Sequence, residues 1–290
     1  MTLPFWNRVT VVGCGLIGSS FALAMRRAKG CRQIAGWDTS PDVLKQALER
    51  GIIDEVDNAF SNGAISASDL IYLAMPVGEI ARFFKECRTT IKDGAVVTDS
   101  GSTKVELCSL GRSYLGKGPR FVGGHPIAGS HLSGIAQARA DLFEGQPYIL
   151  ITDAEHVHTD TLMALHRTLE SFGARVYFLT AEEHDRAMAF VSHLPQLLST
   201  VLARVVAEQS GKPKLQELAG AGYRDMTRLA GSPWSIWRDI LSKNSDEITL
   251  ALDAFIEKLS AVRSDLRNGD GQANESSLLK GLFERPQSAE

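Results

Sequence analysis

Val9-Thr-Val-Val-Gly13-Cys-Gly15-Leu-Ile-Gly18 is the stretch whose reading decides the fold. The β-branched residues Val9 to Val12 read as a short strand. Gly13, Gly15 and Gly18 follow with G-x-G-x-x-G spacing, and residues 16–28 read as a helix. Strand, glycine turn and helix in that order are what the dinucleotide fingerprint requires. Gly13 makes the tight turn, Gly15 lets a pyrophosphate approach the backbone, and Gly18 lets the helix pack close to the strand. The helix N-terminus, which begins with Leu16 and Ile17, then faces the phosphates. A glycine-rich turn that binds nothing is the alternative reading of these residues.

A second strand, 33–37, ends at Asp38, twenty residues beyond Gly18. A carboxylate there can hydrogen-bond the ribose hydroxyls of an adenosine half and repels a 2′-phosphate. Thr39, Ser40 and Pro41 follow, and no arginine sits beside Asp38 to hold such a phosphate. The expected cofactor is NAD, in preference to NADP.

The 290 residues allow one large or two medium domains. A hydrophobic fraction of 44%, a charged fraction of 22% and a formal net charge of −3 are ordinary for a soluble globular chain. This balance carries no electrostatic footprint for nucleic acid or an anionic membrane. Any anionic substrate must therefore be captured by a few local cations. Cys14, Cys31, Cys87 and Cys108 form neither a C-x-x-C pair nor a ligand cluster, so no metal is expected. With the first strand so near residue 1, neither a signal peptide nor an apolar run of membrane-spanning length is expected. The expected location is cytoplasmic, with reduced thiols.

From Val9 to about Thr180 strand and helix patterns alternate. Strands are predicted at 9–12, 33–37, 70–74, 95–99, 120–123, 148–152 and 175–179, and helices at 16–28, 41–50, 78–89, 103–114 and 159–172. Such alternation indicates an α/β fold with a doubly wound, mostly parallel sheet. The strand over 70–74 runs into Met75-Pro76, and the strand over 95–99 into Ser100-Gly101-Ser102. Both ends should open onto the cofactor crevice, with Met75 and Pro76 as cofactor contacts. After Thr180 the pattern is all-α. Residues 181–209 have helical spacing, Ser232-Pro233 starts a helix with Ser232 as N-cap, and 244–267 is amphipathic. The expected domains are 1–180, 181–267 and a mobile tail at 268–290.

The chemistry-bearing residues lie in short segments. His125, in Gly123-Gly-His-Pro-Ile-Ala-Gly-Ser130, is expected at the C-terminal end of a strand. There it is either a proton acceptor or a hydrogen-bonded loop histidine. Ser102, in Asp99-Ser-Gly-Ser-Thr-Lys104, competes with a helix-capping reading in which Thr103 and Glu106 form a capping box. His193 and Gln196, three apart, share one face of an otherwise apolar helix, as a site or as a satisfied core pair. His184, nine residues before His193, would point away from it on one continuous helix. Arg228 is either a bidentate carboxylate holder or the partner of Asp225 in a salt bridge.

Together VVGCGLIGSS, GWDTSP, LAMPV, DSGSTK, GGHPIAGS, SHLPQ and YRDMTRLAGSPWSIWRDI resemble the prephenate/arogenate dehydrogenase family of tyrosine biosynthesis. They occur in the family's order and cover most of residues 9 to 267. The resemblance implies a Rossmann-like domain followed by a helical domain that dimerises. It implies oxidative decarboxylation of prephenate to 4-hydroxyphenylpyruvate, or of arogenate to tyrosine. By position, His125 matches the catalytic histidine and Ser102 the serine that hydrogen-bonds it and the substrate hydroxyl. Arg228 matches the arginine for the ring carboxylate, and His193 a histidine lining the site. Gln196 and Ser130 fall among the substrate-side positions. Some relatives carry histidine where this chain has Gln196. Some carry glutamate where it has His131, in a gate with Asp225 and Arg228.

Three other readings compete. A β-hydroxyacid dehydrogenase resembles proteins with a lysine base early in the helical domain, but this chain has no lysine between Gly118 and Gly211. A dehydrogenase for 4-amino-4-deoxyprephenate would use the same residues. A non-catalytic NAD-sensing dimer would keep the glycine loop and lose His125, Ser102 and Arg228, all of which are present.

Overall fold

The computed structural model describes residues 6–57, 63–116, 118–128, 134–152, 159–209, 218–268 and 278–284. The chain opens with β1 (Trp6–Val12), α1 (Leu16–Arg27), β2 (Cys31–Trp37), α2 (Pro41–Glu49) and β3 (Glu55–Val56). It continues with α3 (Ala64–Ala67), β4 (Leu70–Leu73), α4 (Val77–Cys87), β5 (Val96–Asp99), α5 (Val105–Leu115) and β6 (Arg120–Val122). These six strands form one sheet in the order β3-β2-β1-β4-β5-β6, with every neighbouring pair parallel. The order reverses between β1 and β4, which makes that point the ligand crevice of an open α/β sheet. Val9–Val12 and Leu70–Leu73 are fully buried, as strands covered by helices on both faces must be. The expected Rossmann-like, doubly wound sheet is the fold observed.

The later strands depart from expectation. β7 (Gly124–Pro126), β8 (Pro147–Ile151) and β9 (Arg175–Leu179) form a separate three-stranded sheet in the order β7-β8-β9. β7 and β8 are antiparallel; β8 and β9 are parallel and joined through α6 (Thr159–Ser171). The change of sheet happens at Gly123, where a Cβ would crowd Cys108 Sγ at 2.9 Å and Ile151 at 3.0 Å. His125 therefore lies inside β7, paired with Ile149, and not at the end of a strand of the main sheet.

The helical part comprises α7 (Ala181–Met188), a π-helical turn (Ala189–His193), α8 (Leu194–Glu208), α9 (Ala221–Thr227) and a 3₁₀ turn (Arg228–Gly231). α10 (Trp234–Lys243), α11 (Ser245–Asn268) and α12 (Leu278–Phe283) complete it. The π turn ends at His193, two residues before Pro195, whose missing N–H and ring disturb the regular hydrogen-bond ladder. Helix α10 starts one residue later than expected, with Pro233 and not Ser232 in the cap position.

The chain packs as two units, Met1–Met188 with Gly231–Asn244, and Ala189–Ala230 with Ser245–Glu290. In the first, α10 sits on α4, and Asn244 Nδ2 donates to the Asp185 carbonyl at 2.8 Å. In the second, α8 packs with α9 and α11. The helical run Ala181–Glu208, 28 residues long, is long and apolar enough to cross a membrane by length and composition. This corrects the expectation that no segment is. The run coincides with the helical spacing expected over 181–209; the π turn within it, Ala189–His193, is what the sequence pattern did not show.

Candidate active site

The glycine loop is built as its spacing requires. Gly13 has φ +94°, and a Cβ there would overlap the Ala74 carbonyl at the end of β4. A Cβ on Gly18 would overlap the Gly13 carbonyl and meet Val11 Cγ1 at 2.9 Å, so any side chain would push α1 off β1. The space above Gly15 is open. The amides of Leu16 and Ile17 begin α1, where helix N–H groups lack intrahelical acceptors and favour an anion.

Beside the loop lies a cavity of about 600 Å³ whose lining includes Gly13, Gly15, Asp38, Met75, Pro76 and Arg82. Asp38 Oδ2 accepts from the Cys14 amide at 2.8 Å and Oδ1 from the Ser40 amide at 2.9 Å. The carboxylate thus braces the glycine loop while lining the cavity. Arg82 is paired with Glu79 and Glu86 along α4. The Cys14 thiol is buried and pushed up to about 12 by that burial, so it fills space as a thiol. An open glycine at the N-cap of α1 and a carboxylate on the same cavity fit a dinucleotide.

The other end of the sheet is made of ionisable groups. Asp99, at the end of β5, is fully buried and ion-paired with the fully buried Lys104 ammonium. Asp99 Oδ2 also accepts from the Gly101 amide at 2.8 Å, and Oδ1 from the Gly124 amide at 3.0 Å. This carboxylate ties β5 to the residue preceding His125.

His125 Nδ1 lies 2.8 Å from Nε2 of His184, whose side chain is fully buried. His184 Nδ1 lies 2.7 Å from Asp185 Oδ1. Asp185 in turn accepts from the Lys104 amide at 2.7 Å and the Val105 amide at 2.9 Å, so it caps α5 from α7. The local capping box expected from Thr103 and Glu106 does not form. The Thr103 hydroxyl is buried without a hydrogen-bond partner, and Glu106 pairs with Lys243 at 2.6 Å. Ser102 is half-buried in the turn just before α5. Burial pushes the His184 imidazole below its ordinary range. The Asp185 carboxylate opposes that shift, the Lys104 ammonium adds to it, and Asp99 opposes it.

In the second unit His193 is buried at the end of the π turn. Gln196 Nε2 donates to the Leu229 carbonyl at 2.8 Å and to Thr200 Oγ1 at 3.3 Å. Gln196 thereby fastens the 3₁₀ turn that carries Arg228. Arg228 is exposed, and no ion pair joins it to Asp225 among the described residues. Ser130 and His131 lie outside the described residues. Sequence reading missed Asp99, Lys104 and Asp185 and did not place His184. Its one available signal was the adjacent His-Asp pair at the charged start of an otherwise apolar helix.

Residues 21–178 match the family profile described as "Prephenate dehydrogenase, nucleotide-binding domain", and residues 180–283 match "Prephenate dehydrogenase, dimerization domain". The chain belongs to the prephenate dehydrogenase family. It is 35% identical to a prephenate dehydrogenase of Lactococcus lactis over 279 residues, 95% of this chain and 75% of that protein. A prephenate dehydrogenase from Aquifex aeolicus, crystallised with hydroxyphenyl propionate and NAD+, superimposes with a TM-score of 0.84 at 32% identity, covering 90% of each chain. An arogenate dehydrogenase from Synechocystis superimposes with a TM-score of 0.78 at 30% identity, covering 90% of this chain and 92% of that one. The matched nucleotide-binding domain runs from within α1 through both sheets, and the matched dimerisation domain covers the helices that follow β9. The exposed apolar residues Val201 and Val205 of α8 belong to the latter.

Proposed function

We propose that this protein oxidises and decarboxylates prephenate or arogenate with NAD+. The observation that carries the reading is His125, half-buried beside the β5 end of a dinucleotide-binding sheet and hydrogen-bonded to a buried histidine–aspartate pair. The dinucleotide's second half is expected over β4 and β5, where Asp99 holds the Gly124 amide next to His125. Support also comes from relatives at about a third identity, one of them solved with a hydroxyphenyl acid and NAD+.

When bound, NAD+ supplies the acceptor for the hydride on the carbinol carbon of the ring. His125 takes the 4-hydroxyl proton as that C–H bond is lost. The ring carboxylate then leaves as CO₂. Its bonding pair enters the ring, which becomes aromatic, and His125 returns its proton to the phenolate oxygen. Ser102 is the proposed hydrogen-bond partner of the hydroxyl, Arg228 holds the ring carboxylate, and His193 lines the substrate. Arg228 suits that task because no local carboxylate occupies it among the described residues. Asp38 favours NAD+ over NADP+, and Arg82 is already neutralised by two glutamates.

The protein is expected to work as a homodimer through its helical unit. Val201 and Val205 are exposed, and Leu197 and Leu198 half-buried, on α8. Light scattering should give twice the chain mass at micromolar concentration; a monomer would remove that part of the proposal. The activity is tested by following NAD+ reduction with prephenate, arogenate and a panel of β-hydroxyacids side by side. Turnover confined to the two cyclohexadienols supports the reading, and turnover confined to a hydroxyacid overturns it.

A further inference from the structure

We infer that His184 and Asp185 are positioning residues that fix the tautomer of His125 and place its basic lone pair on Nε2. This inference rests on the reading of His125 as the base. Three groups in a row, Asp185, His184 and His125, share a fixed count of protons. The Asp185 carboxylate can only accept hydrogen bonds, and it already takes two from the Lys104 and Val105 amides. The 2.7 Å contact from His184 Nδ1 to Asp185 Oδ1 therefore requires the proton to be on His184 Nδ1. His184 is fully buried, and its burial opposes a second proton on the ring. In the neutral ring Nε2 is then an acceptor. The 2.8 Å contact to His125 Nδ1 is a hydrogen bond only if His125 carries its proton on Nδ1. A neutral His125 with Nδ1–H has its lone pair on Nε2.

The charged and titratable groups around His184 are Asp185, Lys104, Asp99 and His125. Asp99 and Lys104 are locked to each other, so the group that orients His184 is Asp185. The chain also stabilises the product of proton transfer. When His125 becomes an imidazolium, its Nδ1–H is held by a neutral acceptor backed by a carboxylate, which raises its basicity. The same carboxylate anchors the first amides of α5, two and three residues after Ser102. One buried group therefore fixes both the base and the turn that presents the serine.

Asp185→Asn would also remove one of two acceptors at the α5 N-terminus, so the test is made at His184. Histidine-selective ¹⁵N NMR of the full-length protein, with His125 assigned by its loss in His125→Asn, reads the tautomer directly. The expected spectrum has protonated Nδ1 and unprotonated Nε2 for His125, and the pattern reverts toward the Nε2–H form in His184→Leu. In kinetics His184→Leu should lower kcat about 10–100-fold, the scale of losses at groups that orient a catalytic ligand or base. Its acid limb should move to lower pH, with the KM for NAD+ unchanged. His184→Gln, which keeps one donor and one acceptor, should recover part of kcat. A merely structural histidine would move neither tautomer nor acid limb. If His125 carries its proton on Nε2 in the wild-type protein, or if His184→Leu keeps kcat and acid limb, the inference fails. Those results leave the base assignment standing, because that assignment falls only if His125→Asn retains turnover.

Discussion

The cleft beside β1 and the end of the sheet beside β5 solve different problems with different materials. The cleft is made of backbone: glycines without side chains, the first amides of α1, and one half-buried carboxylate, Asp38. The β5 end is made of buried ionisable side chains: Asp99, Lys104, His184 and Asp185. Backbone recognises a phosphate whatever the pH and tolerates solvent. Buried charges cost folding free energy when unpaired, and they set where a proton resides. On the proposed reading, the first region binds the dinucleotide and the second prepares the base.

The largest stability effect is expected where that contrast is sharpest. Lys104→Ala leaves Asp99 buried without its ammonium and should cost about 3–5 kcal/mol of folding stability. Chemical denaturation measures it. A loss below about 1 kcal/mol would mean that Asp99 is reached by solvent and that the β5 end is not the low-dielectric site described.

Arg228→Ala tests whether substrate charge is handled outside both regions. Its KM for the ring substrate should rise by the equivalent of about 2–5 kcal/mol, with NAD+ affinity and thermal stability nearly unchanged. Unchanged substrate affinity would remove Arg228 from substrate binding.

A smaller effect is expected in the cleft. Asp38→Ser should narrow the ratio of kcat/KM for NAD+ over NADP+ by about 10- to 150-fold, since one charged hydrogen-bonding group is worth roughly 1.5–3 kcal/mol. A wild-type preference for NADP+ would reverse the role given to Asp38.

The smallest effect is on pH-dependent stability. Burial holds the His184 pKa below its unfolded value, so the folded protein binds fewer protons than the unfolded chain between those two values. Stability must then fall as pH drops from about 6.5 through the folded value. Melting temperatures across that range should decline in the wild type and decline less in His184→Gln. Equal slopes would place the titrating group elsewhere.

The same contrast explains what was legible in the sequence. The cleft is local in sequence: Gly13, Gly15, Gly18 and Asp38 lie within one β-α-β unit, and Gly18 is required by its close approach to Gly13 and Val11 inside that unit. The β5 end joins residues 99, 104, 125, 184 and 185 through tertiary contacts, so no spacing announces it. Thr103 and Glu106 even carry the local signature of a capping box, yet Asp185, eighty residues away, caps α5 in its place. The pairing of the later strands is non-local in the same way. The runs 148–152 and 175–179 have strand composition, but the sheet they join is decided at Gly123, where the chain must pass closely between Cys108 and Ile151. Helices α7, α8, α10 and α11 are readable from periodicity, whereas α12, which falls within the expected tail, and the π turn before Pro195 are not.

The central claim is that His125 is the base. The most direct measurement is the single-turnover rate of NAD+ reduction by His125→Asn with prephenate and with arogenate, alongside NAD+ binding by the same variant. The account predicts a loss on the order of 10²–10⁴-fold in that rate, the contribution of a positioned general base, with NAD+ affinity preserved. Near-wild-type turnover in His125→Asn would contradict it.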